Sequence, residues 1–232
     1  MVMSRDYGQY CGLARALDVV GDRWNLLIVR ELLIGPARYG ELRDGLSAIA
    51  TNLLTARLRD LETAGVVERR LSDDANAITY VLTRWGAELR GPINALIRWS
   101  TPLMIRGPEG DEFRAEGLLV GLPALFAGRM PTDQSVVVGI AVDGVMVQLR
   151  ATESGIAVDR PDGRELDAVL NTEAPLVLGL AAGVLSLDDI AALVDIDGDE
   201  SALRTFFDAP RSSPPRTPTD DVATTRGEAA NH

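Results

Sequence analysis

The sequence predicts an α+β chain of two domains: a helical N-terminal domain closed by a β-hairpin, then a mixed sheet covered by helices. Three observations predict it. Apolar residues recur at helical spacing as far as residue 64, after which the period becomes that of a hairpin. Gly, Pro and acidic residues gather at 107–111 between two apolar-periodic regions, the composition of a linker. Charge divides at the same place: residues 1–106 hold 14 Arg against 12 acidic residues, a balance of +2, and residues 107–232 hold 9 Arg against 22 acids, a balance of −13. Only the first domain is electrostatically suited to phosphate. The expected division is therefore 1–106, a linker at 107–111, a second domain at 112–209 and a tail at 210–232. That tail has four Pro and almost no large apolar side chains, so disorder is expected for it.

The elements follow in order. Leu13, Ala16, Leu17 and Val20 form one apolar helical stripe that stops at Gly21. A second, greasier helix runs over 23–34 and ends at Gly35-Pro36. A short third helix covers about 39–46. The fourth covers 50–64, with Leu54, Leu58 and Leu61 inward and Gly65 as its stop. Residues 66–71 and 77–82 are β-rich runs around a turn of Asp and Asn residues. Thr83 then caps a last helix bearing Leu89, Ile93, Leu96 and Ile97, with a kink expected at Pro92. Four helices, a hairpin and a helix make a winged helix-turn-helix.

Composition excludes several chemistries. The single Cys forms no disulfide within the chain, and the single His, His232, leaves no Cys/His metal site and no His-based triad. No apolar run reaches membrane-spanning length and no signal peptide opens the chain, so a cytoplasmic protein without membrane contact is expected. With no catalytic constellation or phosphate loop, any bound molecule is expected to be sensed rather than converted, without a cofactor.

The runs CGLARALDVVGDRW (11–24), LLIGPARYGEL (32–42) and LTARLRDLE (54–62) resemble the HxlR-type winged-helix regulators, relatives of the MarR group. The resemblance covers residues 11 to about 100. It implies a homodimeric bacterial transcriptional regulator joined through its first and last helices. The sequence departs from that family at Ala50-Thr51-Asn52, where Ser-Pro and a basic residue usually open the recognition helix.

Apart from the resemblance, the inward leucines of the fourth helix send Thr51, Asn52, Thr55, Ala56, Arg59 and Thr63 outward. Asn suits adenine edges, Thr methyl and Ala suit thymine methyl, and Arg59 reaches guanine or phosphate, so this face fits a major groove. Arg69 and Arg70 open the wing on opposite faces of a strand. At most one of them is expected to meet DNA directly, and the competing role for either is a pair with a surface acid such as Glu68, Asp73 or Asp74. Arg38 and Tyr39 begin the third helix, where backbone N–H groups and a cation favour phosphate; Tyr39 serves equally as a packing residue. Some relatives use a Cys matching Cys11 to sense oxidants with a second Cys. This chain lacks a second, which leaves a symmetric Cys11–Cys11′ bond or an inert small side chain.

The second domain opens with one expected helix over 113–129, bent at Pro123. Strands follow at 135–142, 145–150 and 155–160, the first two joined by Asp143-Gly144. A strand at 167–171, an apolar helix at 175–183, a Ser186-capped helix, a strand at 194–197 and a helix at 200–208 complete it. The run over 167–209 resembles the C-terminal part of type-two sterol-carrier-like domains. That likeness implies a curved sheet and helices around an apolar tunnel for lipid or acyl chains. The tunnel would be lined by Leu118, Leu122, Leu125, Phe126, Val138, Ile140, Val147, Leu176, Leu180, Ala181 and Val184, between the sheet and the apolar helix; a solid core is the competing reading. Together these expectations describe a one-component repressor binding an inverted-repeat operator as a homodimer and sensing an apolar effector. The alternatives are a lipid carrier or interaction protein that uses the winged helix only to dimerise, and a Cys11-based redox regulator.

Overall fold

The computed structural model describes residues 6–71, 77–104, 107, 110–111, 113–131, 133 and 135–210. The wing turn at 72–76 and, of the tail expected over 210–232, residues 211–232 lie outside the described residues. No helix among the described residues is long and apolar enough to cross a membrane.

The N-terminal domain comprises α1 (Gly12–Val20), α2 (Asn25–Ile34), α3 (Tyr39–Gly45) and α4 (Thr51–Thr63). They are followed by β1 (Val67–Leu71), β2 (Ile78–Leu82), α5 (Arg84–Ala87) and α6 (Arg90–Ser100). α2 is the spine: Ile28, Val29 and Leu32 are buried against Leu54, Leu58 and Leu61 of α4 and Leu42 of α3. β1 and β2 pair antiparallel, with Arg69 opposite Tyr80 and Arg70 opposite Thr79. A bridge between Ala37 and Tyr80 stitches the α2–α3 connection to the wing through two backbone hydrogen bonds of 3.1 and 2.8 Å.

The helix expected to kink at Pro92 is two helices. Thr83 Oγ1 accepts the Gly86 N–H at 3.0 Å and starts α5, which ends at Ala87. Pro92 then falls in the first turn of α6, where a helix has no use for the missing N–H. The chain breaks before the proline instead of bending at it. Gly86 cannot be replaced cheaply, because a Cβ there would lie 2.0 Å from the Val66 carbonyl oxygen.

In the second half the single helix expected over 113–129 is a 3₁₀ turn (Ala115–Gly117) leading into α7 (Leu118–Leu125), which contains Pro123. Next come β3 (Val137–Val142), β4 (Val145–Thr152), β5 (Gly155–Asp159) and β6 (Ala168–Asn171). The chain closes with α8 (Ala174–Ala182), α9 (Leu187–Ile190), β7 (Asp195–Gly198) and α10 (Glu200–Phe207). The sheet order is β5-β4-β3-β6-β7, antiparallel except for the parallel β3–β6 pair, so the sheet is mixed as the sequence predicts. Asp143 and Gly144 both have positive φ, 51° and 77°, which fits the two-residue hairpin that the Asp-Gly pair predicts. The core is Val138, Ile140, Val147, Leu149 and Leu170 of the sheet against Leu122, Leu180, Leu203 and Phe206 of the helices.

The two halves are separate in sequence but not in space. Val120 of α7 is buried in the N-terminal core, and Ile97 of α6 packs against both cores. The two halves therefore pack against each other.

Candidate DNA interface and interdomain cleft

α4 follows α3 after a five-residue turn, 46–50, in which the Ile49 N–H returns to the Leu46 carbonyl at 2.8 Å. Burial of Leu54, Leu58 and Leu61 leaves Thr51, Asn52 and Arg59 exposed, with Thr55 and Ala56 half-buried beside them. Arg59 makes no ion pair among the described residues, so its charge faces solvent. Asn52 Oδ1 accepts the Leu53 N–H at 2.9 Å. The Tyr39 hydroxyl donates to the Thr51 carbonyl at 2.9 Å and lies 3.2 Å from Thr55 Oγ1, tying the start of α4 to α3. Arg38 is exposed, and its backbone N–H donates to the Glu41 carboxylate. Arg57, on the inner flank of α4, forms ion pairs with Asp22 and Asp60 and ties the helix to the α1–α2 connection.

Both wing arginines are paired with acids. Arg69 holds Glu62 of α4 through two hydrogen bonds, and Arg70 holds Glu68 on its own strand at 2.8 Å. Glu68 is among the partners the sequence suggests, whereas Glu62 comes from the helix packed against the wing. Among the described residues the second helix of this helix-turn-helix thus carries one guanidinium without an ion pair, Arg59, beside a wing whose arginines are paired.

The HxlR-like helix-turn-helix family model matches residues 19–106. The chain is 34% identical over 90 residues to an uncharacterised helix-turn-helix transcriptional regulator of Synechocystis, covering 38% of this chain and 67% of that one. It is 33% identical over 86 residues to the transcriptional regulator YodB of Bacillus subtilis, covering 37% of this chain and 77% of YodB. The chain belongs to the HxlR family. A solved structure of reduced YodB superposes with a TM-score of 0.37 at 29% identity, over 43% of this chain and 99% of that one. The chain spans 64–67% of the length of the first curated relatives that it matches.

The family match ends at residue 106, so the second half of the chain lies outside it. Cys11 occupies the N-cap position of this HxlR chain's α1 and is exposed. The backbone N–H groups of Ala14 and Leu13 face its thiol and hold its pKa below the ordinary thiol value. The helices expected to meet a partner carry exposed apolar residues: Leu13 (68% exposed) and Leu17 on α1, Leu96 and Trp99 (74%) on α6. The α6 row differs from the expected one, because Ile93 is buried and Leu89 and Ile97 are packed inside the chain.

Of the expected ligand-lining residues, Leu122, Phe126, Val138, Ile140, Val147, Leu180 and Ala181 are 0–2% exposed in the packed core of the second domain. Leu176 and Val184 instead line a cleft of about 820 Å³ on the outer side of α7 and α8, facing the winged helix, and Leu118 and Leu125 border both that cleft and the core. The winged-helix side of its wall includes Trp24 just before α2, Leu27, Arg30 and Glu31 of α2, residues 45–48, Ile97 and Met104, which no periodicity in the sequence marks because the cleft arises where two domains meet.

Proposed function

We propose that this chain is a one-component transcriptional repressor that acts in the cytoplasm, binds an inverted-repeat operator as a homodimer, and carries in its second half a receiver for an apolar effector. The observation that carries the reading is the exposed Asn52–Arg59 face of α4 beside the wing: short polar side chains and one guanidinium without an ion pair among the described residues, where a solvated helix more often carries pairs of opposite charge. A two-fold dimer through α1 and α6 gives the exposed Leu13, Leu17, Leu96 and Trp99 a partner surface. The five-stranded mixed sheet with α8 and α10 packed on it supports a sterol-carrier-like second domain, with the effector outside its core. Selection from a random duplex library followed by footprinting tests the regulator reading. Protected half-sites about one helical turn apart support it. A protein that binds no duplex at low salt is instead a carrier or interaction module.

A second reading adds redox control, and the exposed, acidified thiol of Cys11 favours it. Alkylation of that thiol is then half-maximal below the pH of a free cysteine, and an oxidant changes operator binding in the parent but not in Cys11→Ser. Equal responses in both proteins remove this reading.

A further inference from the structure

We propose that the cleft between the two domains is the effector site, that it takes a largely apolar molecule bearing one carbonyl, carboxylate or sulfonate oxygen, and that occupancy is coupled to the turn preceding the recognition helix. The proposal rests on the regulator reading above for its consequence, though not for its binding chemistry. The cleft's volume, about 820 Å³, lies within the range of about 300–1,000 Å³ typical of small-molecule sites. Its walls are mostly apolar, with Leu27, Met104, Phe113, Leu118, Leu178 and Leu185 contributed from both domains.

The polar groups in the wall are mostly engaged. The Ser100 and Thr101 hydroxyls donate to the Ile97 carbonyl at 3.2 and 3.0 Å. Arg30 donates to the Glu31 carboxylate from both Nε and Nη2. Arg114 is different. Among the described residues its guanidinium donates no hydrogen bond, and its one ion pair is a long one of 3.8 Å to Glu116. A cation with spare donors on an apolar wall selects a ligand that brings an oxygen acceptor. The cleft is also kept open by glycine. Gly121 lies within α7 and lines the cleft, and a Cβ there would meet nothing within 4 Å. A glycine inside a helix is less stable there than alanine, so this position gives up helix stability where space is left free.

The same arginine touches the DNA-binding element. Gly45, the buried last residue of α3, is so close to its neighbours that a Cβ on it would lie 2.6 Å from Arg114 Nη1 and 2.7 Å from Glu31 Oε2. Residues 46–48 continue along the cleft wall, and α4 starts at Thr51. A ligand oxygen that draws Arg114 toward it withdraws the support on which the end of α3 rests, and shifts the entry to α4. Linkage then requires operator DNA to change ligand affinity by the same factor.

The test uses two fluorescent probes on the full chain: 1-anilinonaphthalene-8-sulfonate, which is apolar with a sulfonate, and neutral N-phenyl-1-naphthylamine. Saturable binding of one sulfonate probe per chain is expected. Gly121→Phe fills the cleft and is expected to weaken that binding more than tenfold without lowering the melting temperature; Ala182→Trp serves the same purpose from α8 if Gly121→Phe does not fold. Arg114→Met is expected to weaken the sulfonate probe at least tenfold and the neutral probe less than threefold. Saturating sulfonate probe is expected to change operator affinity at least fivefold in the parent and to leave it unchanged in Arg114→Met. Undiminished probe binding in folded Gly121→Phe or Ala182→Trp overturns the site, and equal operator affinity with and without bound probe overturns the coupling. A chain that binds the probes with these variant effects but binds no duplex would sink the regulator reading and leave the site standing.

Discussion

Replacing Arg129 with Met removes a buried cation on which two helix ends converge. Arg129 is 2% exposed. Its guanidinium donates to the carbonyls of Leu180 and Ala181 in the last turn of α8, at 3.1 and 3.0 Å, and to those of Phe206 (3.2 Å) and Phe207 at the end of α10. It also stands 5.4 Å from the centre of the Phe126 ring. The negative ends of the two helix dipoles face this cation and favour it. A hydrogen bond to a charged donor contributes about 1.5–3 kcal/mol. Four of them would overstate the loss. The Leu180 carbonyl keeps the Gly183 N–H at 3.0 Å, and Met removes the guanidinium's own desolvation penalty of several kcal/mol. The expected net destabilisation is about 2–4 kcal/mol, read as a lower urea midpoint in far-ultraviolet circular dichroism. Trp24, Trp85 and Trp99 all belong to the winged-helix half, so their fluorescence tells whether that half unfolds in the same transition. A variant within about 0.5 kcal/mol of the parent would refute the view that Arg129 holds the ends of α8 and α10.

Three further outcomes follow from the same geometry. Arg59→Ala is expected to weaken binding to all duplexes and to lower the salt slope by about one, whereas Arg69→Ala, whose charge already engages Glu62, changes it less; equal slopes for the parent and Arg59→Ala would remove Arg59 from the interface. Trp99→Glu puts a charge into the apolar row of α6 and is expected to give a folded monomer at micromolar concentration by light scattering, so an unchanged dimer would move the interface elsewhere. The Asp189 carboxyl, which accepts from the Ser186 hydroxyl and backbone, and the Asp199 carboxyl, which accepts from those of Ser201, are both held below their ordinary pKa of 3.8. Depressed carboxylate pKa values contribute stability that is present above 3.8 and lost as pH falls below it. Asp189→Asn is therefore expected to flatten the acid limb of the melting-temperature profile, and an unaltered profile would contradict the capping role.

The winged domain was legible because its signals are local. Leu54, Leu58 and Leu61 repeat at helical spacing and are buried, and Gly65 and Thr83 mark ends that the structure keeps. The Asp143-Gly144 turn was legible for the same reason, since two positive φ values are cheap for that pair. What the sequence hid was tertiary. Pro92 does not tell whether a helix bends at it or begins just before it, because both satisfy its missing N–H. Glu62 and Arg69 lie on separate elements that only packing brings together. α8 is apolar on every side, so periodicity could not say that Leu180 and Ala181 face the sheet while Leu176 and Leu178 face a cleft. The special place of Arg114 has no local signal either, as it depends on Gly45 approaching from the other domain.

Base preference at the operator tests the central claim most directly. On the operator recovered from a random library, Asn52→Ala is expected to relax preference at one base pair in each half-site, at positions related by the two-fold axis, with discrimination falling by about 1–3 kcal/mol and affinity for unrelated duplex unchanged. Unaltered base preference at every position, with the variant folded and bound, would contradict α4 as the element that reads DNA.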